Sequence, residues 1–346
     1  MFEKLFFPYP EIENSYQEGF IAKIKEAGFS EIPYAVMEKI HGGNSQITYN
    51  INTGEFFYGT RQHILEENES FYNLQAIFDN MQSDVKVLAK HLQNDVQSYG
   101  QKLISVTVYG EVFGGSYPHD SVTKDRNAMR VQKGVFYSPS NQWLAFDVAY
   151  TIEGSERLFF LPVMFAVRAC MLAGIDFVPV LHIANNLDEA LAYPNDKSSE
   201  VYCKYDLPKI EDNIMEGVVI RPYRENAWVG VHRVILKNKN SKFKEKSRVK
   251  KDTISEEIPE NVKKACEEVS QYITINRVHN VLSHLGEVNA KDIGKIIMET
   301  SKDVLADYNK EYDTLSKLEK KEEKIVTKYM NGEVAKVVRD VVLFGK

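Results

Sequence analysis

Short apolar runs separated by polar turns fill the first 245 positions of the chain and predict a β-rich region. The longer predicted strands, rich in β-branched and aromatic residues, are Tyr34–Glu38, Ser45–Tyr49, Leu103–Val112 and Trp143–Tyr150. Shorter runs predict strands at Glu55–Tyr58, Val135–Tyr137, Val218–Ile220 and Val231–Leu236. The region is therefore expected to form sheets.

Two helices are predicted within this β-rich region. Between positions 70 and 98, apolar residues recur every three or four positions, which places them on one face of a helix. The most apolar run, Leu158–Val167, contains Pro162 and ends before Arg168. It is too short to span a bilayer and predicts a buried core helix.

The pattern changes near residue 246, and helical periodicity dominates from Lys251 onward. Pro259 suits a first helical turn and Gly286 suits a helix C-terminus. Asn289 and Ser301 are predicted helix N-caps.

The predicted fold class is therefore α+β. A mixed domain at 1–246 is followed by a linker at 247–254 and an all-helical domain at 255–346.

Composition narrows the possible classes of protein. Of 346 residues, 43% are hydrophobic and 27% charged, which excludes a disordered, collagen-like or coiled-coil chain. The net charge of −6 excludes a uniformly basic nucleic-acid coat, so any binding of nucleic acid must come from local clusters. Cys170, Cys203 and Cys266 lie too far apart to suggest a disulfide framework or a zinc site. With no targeting segment at Met1–Pro8, a cytoplasmic protein is expected, in the host cytoplasm if the source is viral.

A basic run between Arg233 and Lys251 is the first candidate for chemistry. It holds nine Lys or Arg against one acid, Glu245, and predicts either a polyanion site or a solvated linker. Lys237 and Lys239 alternate along a strand, so both are expected on one face.

The second candidate is the segment Glu38-Lys39-Ile40-His41-Gly42-Gly43-Asn44. A lysine that ends an apolar strand beside paired glycines can be a surface residue, a phosphate contact or a covalent nucleophile. The last role requires neighbouring cations or burial to lower the lysine pKa, and Lys237 and Lys239 could supply those cations.

Three further motifs place a carboxylate or aromatic residue beside a strand. They are Tyr109–Gly114 with Glu111, Ala145–Asp147 with Phe146, and Glu216–Pro222 with Glu216 and Arg221. Each motif alone is compatible with a turn acid, a core phenylalanine or a charge that flanks a strand.

Taken in order, these motifs resemble the signature of the covalent nucleotidyltransferases, which include polynucleotide ligases and mRNA capping enzymes. The segment K-I-H-G-G-N at Lys39–Asn44 and the run Lys237–Phe243 are most similar to the RNA ligase 2 family, which comprises phage-type nick-sealing enzymes and trypanosome RNA-editing ligases. Tyr272–Asn280 and Lys291–Lys295 resemble the C-terminal domain of the phage enzymes.

The resemblance implies a nucleotidyltransferase domain of antiparallel sheets flanked by helices, followed by a small all-helical domain. It also implies an ATP-dependent RNA ligase. Lys39 would attack the α-phosphate of ATP and form lysyl–AMP, AMP would pass to a 5′-phosphate, and a 3′-OH would then displace it.

The resemblance assigns further roles. The backbone at Glu38 and Ile40 would hold the adenine edge, and Phe146 would stack on the ring. The expected ribose and phosphate contacts are Asn44, Arg61, Glu111, Lys237 and Lys239. Glu216 would hold Mg²⁺ directly or through water. Arg277 and Asp303 would serve the steps that engage nucleic acid.

Several points stay open at this stage. The family pattern has Lys where this chain has Arg221, and the role of His41 is unassigned beyond a hydrogen-bonded structural histidine. The expected partner is a nicked RNA duplex with 3′-OH and 5′-phosphate ends, the expected pathway is RNA repair, and no membrane contact is expected. The chain is expected to be a monomer. The alternatives are a DNA ligase, a capping enzyme and an inactive nucleic-acid-binding relative, the first two disfavoured because no barrel-like strand series follows Lys246.

Overall fold

The computed structural model describes residues 5–67, 69–243, 259–286, 288 and 290–344. The chain divides into two compact units, Met1–Asn240 and Ser241–Lys346. The predicted linker at 247–254 lies outside the described residues, so its limits stay a prediction. No helix in the described ranges is both long and apolar enough to cross a membrane.

The strands of the first unit are β1 (Glu13–Asn14), β2 (Tyr34–Glu38), β3 (Gly43–Asn50), β4 (Phe56–Thr60), β5 (Leu103–Gly114), β6 (Asn141–Ile152), β7 (Phe159–Phe160), β8 (Val180–Ala184), β9 (Gly217–Pro222), β10 (Trp228–Val229), β11 (His232–Arg233) and β12 (Leu236–Lys239). Its helices are α1 (Glu18–Glu26), α2 (Leu74–Ser98), α3 (Val163–Ala173) and α4 (Leu187–Leu191). The helices of the second unit are α5 (Glu260–Ser270), α6 (Ile275–Leu285), α7 (Ile293–Glu311) and α8 (Lys320–Phe344).

Two five-stranded sheets organise the first unit. One has the order β1-β12-β9-β2-β8, and the other has the order β4-β3-β5-β6-β7. The strands pair antiparallel in both, except that β1 runs parallel to β12. Together with the helical second unit, these sheets confirm the predicted α+β class.

Apolar faces of the helices cover the two sheets. Ile24 of α1 and Leu187 of α4 are buried in a cluster with residues of β2 and β9 on the first sheet. The long helix α2 packs on the second sheet and on α3, and its buried face repeats every three or four residues as predicted.

Several predicted elements are wrong in their limits. Helix α2 begins at Leu74 instead of position 70, because Tyr72 and Asn73 adopt positive φ and stop the helix there. The apolar run Leu158–Val167 is divided by Pro162, with β7 before it and α3 after it. The predicted strand Val231–Leu236 is split between β11 and β12.

The predicted strand Val135–Tyr137 is also wrong. This segment is a loop whose backbone is bound by a side chain instead of a neighbouring strand. Asn213 accepts a hydrogen bond from the Phe136 N–H at 2.8 Å and donates one to the Phe136 carbonyl at 2.7 Å.

The second unit buries one core among its four helices. That core contains Val262, Val269, Val278, Ile296 and Val334, among others. Gly286 ends α6, as predicted, whereas Pro259 is the N-cap of α5 and precedes its first turn. Asn289 lies outside the described residues. Ser301 is not an N-cap, because it lies inside the continuous helix α7.

Candidate active site

Lys39 follows the last residue of β2, the strand that lies between β8 and β9. Its backbone N–H donates to the Gly217 carbonyl at 2.9 Å, which fixes it beside the start of β9. Gly217 has φ +151°, and a Cβ there would lie 2.2 Å from the Asn238 carbonyl oxygen, so only glycine fits. The hydrogen bond from Lys39 to Gly217 places Glu216, the preceding residue, beside Lys39.

Glu216 is the centre of a buried ionic cluster. Its Oε2 accepts a hydrogen bond from Lys39 Nζ at 2.8 Å, and its Oε1 lies 3.1 Å from Lys239 Nζ. His41 Nδ1 lies 3.4 Å from Oε2. The Glu216 side chain is 2% exposed, whereas that of Lys39 is 19% exposed, so part of the lysine side chain is accessible to solvent.

Electrostatics keep Glu216 ionised. Burial alone would raise the pKa of its carboxyl, but the charges of Lys39, Lys239 and His41 outweigh burial and hold the pKa well below its usual range. The sequence predicted that cations would lie near Lys39. Lys239 does lie nearby, but the Glu216 carboxylate binds both lysines and separates them.

The turn after Lys39 requires glycine at position 42, because the backbone of β5 packs closely against it. A Cβ on Gly42 would lie 2.1 Å from the carbonyl oxygen of Val112 in β5. Neither Gly42 nor Gly43 has positive φ, so the need is for close backbone approach rather than for a left-handed conformation.

This packing brings the predicted sugar and phosphate residues of the second sheet together. Asn44 of β3 is directly opposite Glu111 of β5 in the ladder. Burial raises the pKa of Glu111 to about 7, Lys39 and Arg61 act in the opposite direction, and the charge of Glu216 adds to the rise. Lys39, Arg61, Glu111 and Glu216 are therefore close enough to influence one another's charge.

Glu38 and Ile40 flank the lysine and are both buried. In the part of the chain that the structure describes, the two carboxyl oxygens of Glu38 make no hydrogen bond of normal geometry. Burial raises the Glu38 pKa to about 7, partly offset by Ser199 and the Glu200 backbone nearby. The carboxyl group of Glu38 thus differs sharply from that of Glu216, since Glu38 adjoins Lys39 only in sequence whereas Glu216 binds it.

Phe146 is half-buried in the middle of β6, not at the end of a strand as the sequence suggested. The ring of Tyr9 packs edge-on against it, with centroids 4.8 Å apart. One face of an aromatic ring at this position suits stacking on a base.

Asp147, next to Phe146, holds a second buried ionic cluster. It pairs with Arg221 at 3.0 Å and with Arg233 at 2.7 Å, and it accepts a hydrogen bond from Tyr9 Oη at 2.9 Å. Burial opposes ionisation, but the two arginines hold the Asp147 pKa below its usual value. Arg221 also reaches the Phe146 carbonyl at 3.4 Å, so its guanidinium is committed to this cluster.

The Asp147 cluster contains two residues whose place in it the sequence did not reveal. Arg233 was counted in the basic run, but it is buried, and its guanidinium lies 3.7 Å from the centroid of the Phe160 ring. Tyr9 was not predicted as a site residue, and its contacts with Phe146 and Asp147 become visible only in the structure. No local pattern at residue 9 carries that signal.

The remaining basic residues are divided between the two units. Lys237 is half-buried in β12, where it pairs with Val219 of β9, and Lys239 is two positions further along. The spacing of two confirms that both lie on one face of the strand. The part of the run from 244 to 251 lies outside the described residues.

No group of three or more His, Cys, Asp or Glu side chains that could hold a metal ion occurs in the described ranges. The charge of Lys39 acts on both Glu216 and Glu111. Such a donor set fits a hard cation that is bound mainly by phosphate oxygens and water, as Mg²⁺ commonly is.

Arg277, in the second unit, is 1% exposed on α6. Its Nε donates to the Tyr272 carbonyl at 2.8 Å, and its two terminal nitrogens bind the carboxylates of Asp303 and Asp307 on α7. Asp303 lies inside α7 rather than at a helix start, so the macrodipole does not explain its position. The structure thus brings Arg277 and Asp303 together.

Comparisons with known proteins identify the family of the chain. A family model described as RNA ligase matches residues 32–239, and a model described as T4 RNA ligase 2 C-terminal matches 237–336. RNA-editing ligase 1 of Trypanosoma brucei brucei is 27% identical over 90% of this chain and 77% of its own length. RNA-editing ligase 2 of the same organism is 32% identical over 42% of this chain and 37% of its own length.

Solved chains of Naegleria gruberi RNA ligase are similar with 13% identity and a TM-score of 0.42. The match covers 68% of this chain and 58% of that chain, so the similarity extends over little more than half of the solved protein.

Proposed function

The chain belongs to the RNA ligase family, whose members are ATP-dependent ligases of the covalent nucleotidyltransferase type, and on that premise we propose that it seals nicks in duplex RNA through a lysyl–AMP intermediate at Lys39. The observation that carries the proposal is the cluster in which Glu216 lies between Lys39 and Lys239. It combines a partly exposed amine with the charges that a triphosphate requires.

In the first step, the Lys39 ammonium gives up a proton to water, its Nζ then attacks the α-phosphorus of ATP, and the bond from the α-phosphorus to pyrophosphate breaks. Glu216 Oε2 accepts a hydrogen bond from Lys39 Nζ at 2.8 Å. Because the pKa of Glu216 is held well below its usual range, its carboxylate is a weak proton acceptor. Its role is therefore to orient Lys39 rather than to act as the general base. Lys237 and Lys239 neutralise the phosphate oxygens as charge develops.

The nucleotide is held on two sides in this proposal. The backbone at Glu38 and Ile40 meets the adenine edge, and Phe146 stacks on the ring. Asn44, Glu111 and Arg61 meet the ribose and phosphates, where a carboxylate accepts from a hydroxyl group more strongly than a neutral acceptor does.

A divalent cation, Mg²⁺ in this proposal, would offset the triphosphate charge and assist the departure of pyrophosphate. Glu216 would hold it directly or through water.

In the later steps, AMP passes to the 5′-phosphate of an RNA strand, and a 3′-OH then displaces AMP and closes the backbone. Ends bound in line react far faster than free ends, which is the task we assign to the helical unit. Because Arg277 is buried, we propose that it and Asp303 act by shaping the α6–α7 pair that meets the RNA.

The test of the nucleophile is labelling by [α-³²P]ATP followed by peptide mapping. Wild-type protein should acquire acid-labile label on Lys39, and Lys39→Ala and Lys39→Arg should acquire none, since a guanidinium stays protonated. Lys102→Ala is the matched control, because Lys102 is an exposed lysine paired with Glu153. Label retained by Lys39→Ala would refute the assignment.

The test of the substrate is a panel of nicked duplexes with RNA or DNA on each side of the nick. Sealing that requires RNA at the 3′-OH strand is expected, because a protein distinguishes RNA through the 2′-OH. Equal sealing of all-DNA nicks would favour the DNA ligase alternative. Efficient labelling by GTP would favour a capping enzyme.

A further inference from the structure

The loop that follows the nucleophile is held by a buried tyrosine outside every strand. The Tyr137 hydroxyl accepts a hydrogen bond from the backbone N–H of His41 at 2.9 Å, and the Tyr137 side chain is almost fully buried. The ring packs edge-on against Phe113 of β5, with centroids 5.1 Å apart. Tyr137 therefore fixes the backbone two residues after Lys39.

The segment that carries Tyr137 is itself bound to the segment that carries Glu216. Asn213 makes two hydrogen bonds to the backbone of Phe136, the residue before Tyr137. Asn213 is buried, its carbonyl accepts from the Ser199 N–H at 2.9 Å, and it lies three residues before Glu216.

These bonds form a continuous path between the two members of the catalytic ion pair. The path runs from the His41 backbone to Tyr137, through Phe136 to Asn213, and along the chain to Glu216. Each link is a part-buried hydrogen bond or a covalent stretch of a few residues, so a shift at one end of the path is expected to move the other end.

We infer that Tyr137 and Asn213 form a positioning bridge that sets the distance between Lys39 and Glu216 for adenylyl transfer. Neither side chain needs to touch ATP. This inference rests on the proposed function, because it assigns the bridge to the step in which Lys39 attacks ATP.

The bridge predicts a specific kinetic change. Tyr137→Phe removes one oxygen atom, leaves the ring in place and frees the loop after Lys39. The single-turnover rate of lysyl–AMP formation should fall at least about tenfold, which corresponds to about 1.4 kcal/mol of barrier. The ATP concentration at half-maximal rate should change little, because the predicted nucleotide contacts remain.

The matched control is Tyr34→Phe. Tyr34 is equally buried on β2, and its hydroxyl donates to the Phe29 carbonyl at 2.7 Å, away from Lys39. It loses the same atom and one hydrogen bond, so a fall in rate confined to Tyr137→Phe separates positioning from a general loss of stability.

Asn213 supplies a second, graded test. Asn213→Asp keeps the acceptor for the Phe136 N–H and loses the donor, so its rate should lie between those of wild type and Asn213→Ala. Since both residues act in series, the double variant Tyr137→Phe/Asn213→Ala should be no slower than the slower single variant.

Three outcomes would overturn the bridge: a normal rate for Tyr137→Phe, an equal loss in Tyr34→Phe, or multiplicative losses in the double variant. Tyr137→Phe decides the matter even if Asn213→Ala fails to fold. Wild-type protein that acquires no label on Lys39 would instead refute the proposed function, so the two failures are distinguishable.

Discussion

The Glu216 cluster and the Arg277 cluster are both buried ionic groups, but their charges are arranged in opposite ways. Glu216 is one carboxylate among cations, with two lysines bound to it. Arg277 is one guanidinium between the carboxylates of Asp303 and Asp307. The first cluster has surplus positive charge for an incoming polyanion, whereas in the second Lys310 also pairs with Asp307, so the charges of the two acids are balanced.

The choice of cation reinforces this contrast. A lysine ammonium is a compact point charge that can exchange one partner for another, whereas the planar arginine fork makes fixed, directional bonds. Lys39 is 19% exposed, whereas the Arg277 side chain is 1% exposed and has bonds on each nitrogen. A buried ionic cluster can thus prepare a reaction or fix a fold.

Glu216→Gln should have the largest effect of the changes that test this contrast between the two clusters. An uncharged amide cannot orient two lysines, so lysyl–AMP formation should fall by about 10²–10³-fold, the usual effect of removing a key electrostatic group. The measurement is the single-turnover labelling rate with [α-³²P]ATP. Glu211→Gln is the control, since Glu211 is an exposed acid paired with Lys209. A Glu216→Gln rate close to wild type would end the catalytic reading of this cluster.

Arg277→Ala tests the other cluster. Loss of a buried charge that binds two acids should lower the free energy of unfolding of the helical unit by about 3 kcal/mol. Because Asp303 is 39% exposed, water should relieve part of that cost. Thermal unfolding measures the loss of stability. Lysyl–AMP labelling should persist in this variant, whereas sealing of nicked duplexes should be lost.

Arg277→Lys should recover only part of that stability, because an ammonium group cannot reproduce the fork. Unchanged thermal unfolding in Arg277→Ala, combined with weaker RNA binding, would instead identify Arg277 as a direct RNA contact.

Glu38 sharpens the comparison, because it is a buried carboxyl group without the cations of Glu216. With its pKa raised from 4.5 to about 7, the protonated form stabilises the fold, and this contribution is lost as the pH rises through 7. Glu38→Gln should therefore have a larger free energy of unfolding than wild type at pH 8, by at most about 3 kcal/mol. The gap should close near pH 5, and a gap independent of pH would contradict the prediction.

Thr274→Ala should have the smallest effect. The Thr274 side chain caps α6 by accepting from the backbone N–H of Arg277 at 3.2 Å. Loss of this cap should cost about 1 kcal/mol of stability, measured by thermal unfolding, and should leave labelling unchanged. Thr274→Ser should restore the loss, and a failure to do so would assign the effect to the lost methyl group.

The elements that were predicted well are those specified by local pattern. The stripe of α2 and the strands β2, β5 and β6 follow from residues close in sequence. Ser301 was misread because a serine inside a helix and a serine at a helix start look alike without the residues that pack around them.

The predicted site residues of the first unit came from motifs, but their pairing did not. Glu216 was predicted near phosphate and metal, and the structure adds that it binds Lys39 and Lys239 together. Arg233 and Tyr9 meet at Asp147 from distant parts of the chain. Such convergence depends on sheet order and register, which no local spacing specifies.

The strand order β12-β9-β2 determines when the site can form while the ribosome synthesises the chain. Lys39 and Glu216 are 177 residues apart in the chain, and Lys239 follows later still. At 5–20 residues per second, roughly ten seconds or more separate the synthesis of Lys39 from that of its carboxylate partner. A nascent chain therefore carries Lys39 on an unfinished sheet edge, and pairings this distant also form slowly. Newly made protein should thus acquire its ability to react with ATP in one late event, when β9 and β12 close the sheet.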